Sequence, residues 1–334
     1  TGASVDGETY KTKQTIELSS SNPPDLFYSW EGGRGKEIVD NGFSADLTPY
    51  YEKYGWDKKL NPAGVALSVY NGKKHFVPTE MSASVVWYRK DIYEQLGLKV
   101  PTTWDELMAN AQKGKEAGLA AFMLANQKKW PSQFMWSAIL VNKHGLDVYD
   151  GLINGTIPWT DPRAVDVTAM MQKLAQDGMF EPSFNSIDLG PAMVPWTQGK
   201  GLHWYQGSFN LGRFRGDQPQ CCVVPMDFFP MPAFPDKKPI MSVFAEDTIM
   251  IHANSPNKDA AAEFLDWMVS DAAMSKKLEL DKPFPSNVNS DLSRLSEMEQ
   301  RLGKAMAESG SFTFMHVDHA LALDPTLPAA HATA

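Results

Sequence analysis

The chain has 334 residues, 43% of them hydrophobic and 21% charged, with a formal net charge of −9. That length exceeds one ordinary domain and suits two, and the composition is that of a globular protein. The acidic surplus argues against nucleic acid or an anionic membrane as partner, and no window has the apolar length needed to span a bilayer.

In chain order, Thr9 to Ser19 reads as the end of a helix. Pro23-Pro24 breaks it, because proline fixes φ and removes a backbone donor. Leu26 to Tyr28 is predicted as one short buried strand, with Trp30 and Glu31 at its end and two glycines behind them. Ligands in open α/β sheets sit beyond the carboxyl ends of strands. An indole beside a carboxylate there suits a polar ligand with apolar faces, such as a sugar. The competing account is a core Trp30 and a helix-start Glu31. Glu37 to Gly42 reads as a helix closed by glycine, and Asp46-Leu47-Thr48-Pro49 as a strand or turn. Leu67–Tyr70, Asn71-Gly72 and His75–Val77 form a hairpin, since Asn-Gly supplies the positive φ angles of a tight turn. Pro78 to Ser82 reads as a loop, and Ser84 to Tyr88 as a β-branched strand.

Gly97 to Pro101 is a turn, followed by a capping box with Thr103 as N-cap and Glu106 three residues on. The helix it opens is expected to reach about Lys115. Phe122-Met123-Leu124 is a short buried strand that ends in a polar tip, Ala125 to Pro131, carrying Trp130. Phe134 to Asn142 is an apolar helix. Thr160-Asp161-Pro162 starts another, with Ala164, Val167, Met171, Leu174 and Ala175 at a 3.6-residue period, and Gly178 ends it. Leu202 to Phe209 is a strand with a Gly207-Ser208-Phe209 tip. Cys221 and Cys222 are adjacent, where mutual bonding would be strained, so two buried thiols in a strand are expected. Met226 to Pro239 reads as an ordered loop or linker. Ser242 to Ile251 is a strand interrupted by Glu246 and Asp247, two carboxylates that are costly there unless solvated or paired. Ser255-Pro256 begins a helix with Ala261, Phe264, Leu265 and Met268 as its stripe, and Ala322 to Ala334 reads as a tail.

No phosphate-binding loop, dinucleotide fingerprint, nucleophile elbow or His-Glu-x-x-His is present. His316 and His319 could share a helix face, but only Asp318 accompanies them, so no metal site and no cofactor are expected. Asn154-Gly155-Thr156 is a glycosylation sequon by pattern alone. Glu31, Glu80, Glu246 and Asp247 are candidate site acids. A glycosidase would hold two carboxyls about 5–5.5 or 6.5–9.5 Å apart. The same acids can instead accept hydrogen bonds from hydroxyls.

The ordered set of signals resembles a family. It comprises Asn22-Pro23-Pro24-Asp25-Leu26-Phe27-Tyr28, the Asn71-Gly72 hairpin closing on Val77-Pro78, Val86-Trp87-Tyr88-Arg89-Lys90-Asp91 and Val100-Pro101-Thr102-Thr103-Trp104-Asp105-Glu106-Leu107. Ser255-Pro256-Asn257-Lys258, Ala262-Glu263-Phe264-Leu265 and Lys282-Pro283 follow late in the chain. Over about residues 9 to 290 this is similar to the extracellular solute-binding proteins, family 1, of bacterial ABC sugar importers, related to maltose-binding protein. The resemblance implies an α/β, type II periplasmic-binding-protein-like fold, with two lobes joined by hinge crossings and closing on a ligand in the cleft. The lobes implied are 1–86 plus 243–282 and 87–242 plus 283–334. It implies no enzymatic activity, a mono- or oligosaccharide ligand, permease subunits as membrane partners, a monomer, and a periplasmic or cell-surface lipoprotein location.

The ligand-binding residues implied by position are Trp30 and Glu31 in the first-lobe loop, Glu80 and Met81 before the first crossing, and the second-lobe Trp130. Phe209 stands where many members carry Trp, which shifts part of the stacking to Trp204. Glu246 and Asp247 match a hinge-side acid region, with Lys282 and His316 as further carry-overs. The family opens with a strand, a helix and a second strand that this sequence lacks, and ends in packed helices where this sequence has a loop-like tail, so a chain truncated at both ends is expected. A polyol or polyamine on the same fold is the alternative ligand, and a glycoside hydrolase the alternative function.

Overall fold

The computed structural model describes residues 7–215, 224–279 and 284–308. It divides into two units, and the chain passes between them more than once. Among the described residues the first unit takes 7–81, 245–279 and 285–291, and the second takes 82–215, 224–244, Phe284 and 292–308.

In the first unit, helix Gly7–Leu18 leads to strand Leu26–Ser29. That strand pairs antiparallel with the end of strand Ser242–Ile251, in a register that sets Leu26 opposite Ile251 and Ser29 opposite Thr248. The core forms around Leu47, Tyr51, Trp56, Leu60, Val77, Leu265 and Met274, all buried. The Asn71-Gly72 turn joins two strands of only two residues each, Val69–Tyr70 and Lys73–Lys74, because Leu67 belongs to helix Pro62–Leu67. Thr48–Tyr54 is a helix where the sequence suggested a strand or turn. Pro49 occupies its first turn, and the Asp46 carboxylate accepts from the Thr48 N–H, a start signal that the sequence reading did not use.

The second unit holds the residues after Met81 of the long strand Val77–Arg89. These pair antiparallel with strand Gly201–Gly207, Trp87 opposite Trp204, and with strand Met226–Phe229. Strand Ala120–Met123 lies parallel to Gly201–Gly207, with Phe122 opposite His203. Helix Trp104–Glu116 starts at the expected capping box, the Thr103 hydroxyl accepting from the Glu106 N–H and the Glu106 carboxylate from the Thr103 N–H. Such a cap contributes about 1 kcal/mol. Helices Trp130–His144, Leu146–Ile153 and Pro162–Gln176 close the core over Phe122, Phe134, Leu140 and Val148. His203 is wholly buried there. Its Nδ1–H donates to the Ala121 carbonyl and its Nε2 accepts from Tyr93, while burial pushes its pKa down to about 3, so it is a neutral structural imidazole.

Three sequence readings are corrected. Pro78 to Ser82 is not a loop but part of the uninterrupted strand Val77–Arg89, with Pro78 near its start, where a missing N–H is tolerated. Glu246 and Asp247 do not interrupt Ser242–Ile251, which is one strand. Met226–Phe229 is a strand inside the segment read as a loop. The first passage between units lies at Met81/Ser82 and a later one at Phe244/Ala245, compared with the expected lobe boundaries at 86/87 and 242/243. Residues 285–291 belong to the first unit rather than to the second. Backbone pairing explains this: Pro285 bridges Glu80, the Ser286 N–H donates to the Thr79 carbonyl, and the Asn61 N–H donates to the Ser286 carbonyl at 2.7 Å. The Cys221 and Cys222 strand and the tail fall outside the described residues.

Candidate functional site

The parallel pairing of Ala120–Met123 with Gly201–Gly207 sends the carboxyl ends of both strands to one edge of the second unit. A polar loop leads from the first to Trp130, the first residue of its helix. Gly207, Ser208 and Phe209 follow the second. The outcome is a ring cluster: Trp130 lies 6.2 Å from Phe209 and 5.4 Å from Phe134, and Phe209 is 6.5 Å from Phe244. Trp130 and Phe209 are half-buried, while Phe134 and Phe244 are buried beneath them. The Ser82 and Ser208 hydroxyls meet at 2.8 Å, and the Ala83 N–H donates to Ser208, which fixes the tip beside Phe209. Gly207 is needed for close approach, since a Cβ there would overlap the Phe209 ring.

Trp204, three pairs back along the strand from Gly207, is elsewhere. It is 1% exposed and packs edge-on to Trp196 at 5.7 Å and to Phe214 at 5.7 Å. It is a core residue with its indole N–H buried and without a partner, and the stacking role expected of it is not what the structure gives. Its place inside the strand, opposite Trp87, accounts for this.

In the first unit, Trp30 follows strand Leu26–Ser29 and is half-buried. It lies 4.9 Å from Tyr28 and 5.9 Å from Tyr10, with the Lys11 ammonium 5.5 Å over its ring. Tyr28, two residues before Trp30 on the same strand end, is legible as a neighbour in the sequence, whereas Tyr10 comes from helix Gly7–Leu18 and is not. The Tyr28 hydroxyl donates to the Glu246 carbonyl at 3.1 Å, which brings half-buried Glu246 into the same neighbourhood. Glu31 is 3% exposed, and its Oε2 has no hydrogen-bond partner. Burial pushes its pKa up to about 8, so the acid holds its proton at neutral pH and can donate as well as accept. Gly32, at φ 72, makes the turn between Glu31 and helix Gly33–Asp40.

Glu80 and Met81 are both 2% exposed within their strand. The Met81 sulfur sits so near Gly64 that a Cβ there would come to 2.9 Å, which makes Met81 a packing residue. Of Asp247 only the backbone is described, and Lys282 and His316 lie outside the described residues. Among the described residues no group of three His, Cys, Asp or Glu side chains could hold a metal ion, and no helix is long and apolar enough to cross a membrane.

Comparison with known proteins identifies the family and the fold. A relative from Pyrococcus horikoshii, an uncharacterised ABC transporter extracellular-binding protein, is 27% identical over 75% of this chain, which spans only 55% of that relative's length. The alpha-glucosides-binding periplasmic protein AglE of Rhizobium meliloti is 25% identical over 92% of this chain and 70% of its own. A solved structure described under xylan utilization by the thermophilic bacterium Caldanaerobius polysaccharolyticus superposes with a TM-score of 0.85 at 23% identity, covering 95% of this chain and 82% of that one. This likeness carries the fold, which is that of the type II solute-binding proteins. The family model described as bacterial extracellular solute-binding protein matches residues 2–275, and the chain belongs to that family.

Proposed function

We propose that the chain is the solute-binding component of an ABC importer, which captures a mono- or oligosaccharide outside the cytoplasmic membrane and delivers it to permease subunits without altering it. The observation that carries this reading is the half-buried pair Trp130 and Phe209, seated on Phe134 at the edge where two parallel strands end. Flat rings with one open face suit the C–H faces of a pyranose, and the serine hydroxyls beside Phe209 suit its oxygens. Trp30, Glu31, Glu80 and Glu246 supply the corresponding set in the first unit.

A neutral guest fits this set better than a polyamine. Exposed Lys128 and Lys129 immediately precede Trp130, and Glu31 is uncharged at neutral pH. The names of relatives point the same way, since AglE is an alpha-glucosides-binding protein. Micromolar affinity corresponds to about −8 kcal/mol, within reach of a few ring stacks and charge-assisted bonds once ordering costs are met.

A thermal-shift screen over sugars, polyols and amines identifies the class, because a ligand that binds only the folded chain raises its melting temperature. Calorimetry on Trp130→Ala then tests the site. A loss of about tenfold, near 1.4 kcal/mol, is expected. Unchanged affinity refutes the assignment.

A further inference from the structure

Resting on the saccharide reading above, we propose that Lys129 is a positioning residue, whose left-handed backbone conformation aims the Trp130 ring at the ligand. Lys129 has φ 68 and ψ −31, outside the αL well and toward the positive-φ γ-turn, a conformation that L side chains rarely adopt, and the Trp130 N–H donates across it to the Lys128 carbonyl at 2.9 Å. Among the described residues only Asn71 and Asp236 share a positive φ without being glycine. Those two types tolerate it through their short polar side chains. Lysine has no such compensation, so the surroundings must impose the geometry.

They do so through a closed set of hydrogen bonds around Asn126, itself 7% exposed. The Asn126 carbonyl accepts from the Lys129 N–H at 3.0 Å, and its Oδ1 accepts from the Ser132 N–H at 3.1 Å, which satisfies one of the open donors of the helix start. The Ser132 hydroxyl donates to the Lys129 carbonyl at 2.9 Å. From the other side, the Asn126 Nδ2 donates to Asn185 Oδ1 at 2.9 Å, its N–H to the Phe184 carbonyl at 2.7 Å, and the Gln127 N–H to the Ile187 carbonyl at 3.2 Å. Lys129 is the last residue before Trp130, so its dihedral angles set the direction in which the indole leaves the helix start. A loop that merely joined strand to helix would place glycine there and carry no strain. Strain held by so many bonds next to a ring is a mark of pre-organisation.

The test measures the affinity of the full chain for maltose and for xylotriose by calorimetry, together with the melting temperature, in wild type, Lys129→Gly and Lys129→Asn. Glycine relieves the strain and frees the loop. Lys129→Gly is therefore expected to melt at a temperature equal to wild type or about 2–4 °C higher, while its affinity falls about fivefold. Asparagine, among the side chains most tolerant of positive φ, keeps a restricted backbone there without the lysine ammonium, and Lys129→Asn is expected within twofold of wild type. Unchanged affinity in Lys129→Gly overturns the proposal. Equal losses in Lys129→Gly and Lys129→Asn overturn it too, since the ammonium would then be the contact. A fall in affinity and melting temperature together marks a merely structural role and overturns it. Wild type that binds neither saccharide defeats the saccharide reading itself, and the proposal goes with it.

Discussion

Trp30 and Trp130 each stand just past the end of a short strand, yet their supports differ in kind. Trp130 rests on phenylalanines, with neutral serine hydroxyls at its neighbour Phe209. Trp30 rests on two tyrosines beneath a lysine ammonium, and the residue after it is a buried acid with one oxygen unpartnered. The second-unit ring thus keeps an apolar seat that asks nothing of the solvent. The first-unit ring is embedded in polar groups that already interact with it. An open apolar plate contributes more to stacking than one already engaged by a cation, while the polar unit is where protonation acts.

Four measurements press on that contrast. The largest effect is expected from Glu31. Its folded-state pKa of about 8 lies above the ordinary value of 4.5, so the folded chain holds this proton more tightly than the unfolded one. This group's contribution is therefore most favourable below pH 4.5, declines as pH rises from 4.5 to 8, and levels off above that. Relative to Glu31→Gln, wild type should lose on the order of 1–3 kcal/mol between pH 4.5 and pH 7. Parallel denaturation curves at every pH would show that the carboxyl is not isolated from water.

Next comes Trp130→Ala, with its tenfold loss of saccharide affinity. Gly207→Ala follows. Its new methyl must push the Phe209 ring aside, and about fivefold weaker binding is expected with the melting temperature little changed. Trp30→Ala should be the mildest, about threefold, because the tyrosines beside it remain. A Trp30→Ala loss exceeding that of Trp130→Ala, measured by the same calorimetry, would reverse the contrast.

Local punctuation in the sequence was a good guide where its physics is local. The Thr103 capping box follows from side chain to backbone bonds within four residues, and strand Leu26–Ser29 was legible as a short apolar run although its pairing partner is distant. Trp130 and Phe209 were legible as rings at strand ends, and the stacking role given to them came from the family resemblance. Trp204 could not be separated from them by type alone. Only its place within the strand, opposite Trp87, buries it. Pro78 to Ser82 looked like a loop because proline and polar residues dominate it, and its strand is sustained by residues 285–286, some 200 positions away. The bonds that tie Asn126 to Asn185 and Phe184 are long-range in the same way, and nothing in the tip's composition announces them.

The division of the chain has a consequence for its synthesis. Residues 82–215 and 224–244 belong to the second unit, whereas among the described residues strand Leu26–Ser29 pairs only with residues 248–251, and the Thr248 hydroxyl reaches the Ser29 carbonyl across 219 positions. At roughly 5–20 residues per second, a ribosome needs about 10–40 seconds to deliver that partner. During this interval the long middle run of the second unit has already been made, while strand Leu26–Ser29 still lacks its pairing strand, a delay in which a translocase or chaperone can engage it.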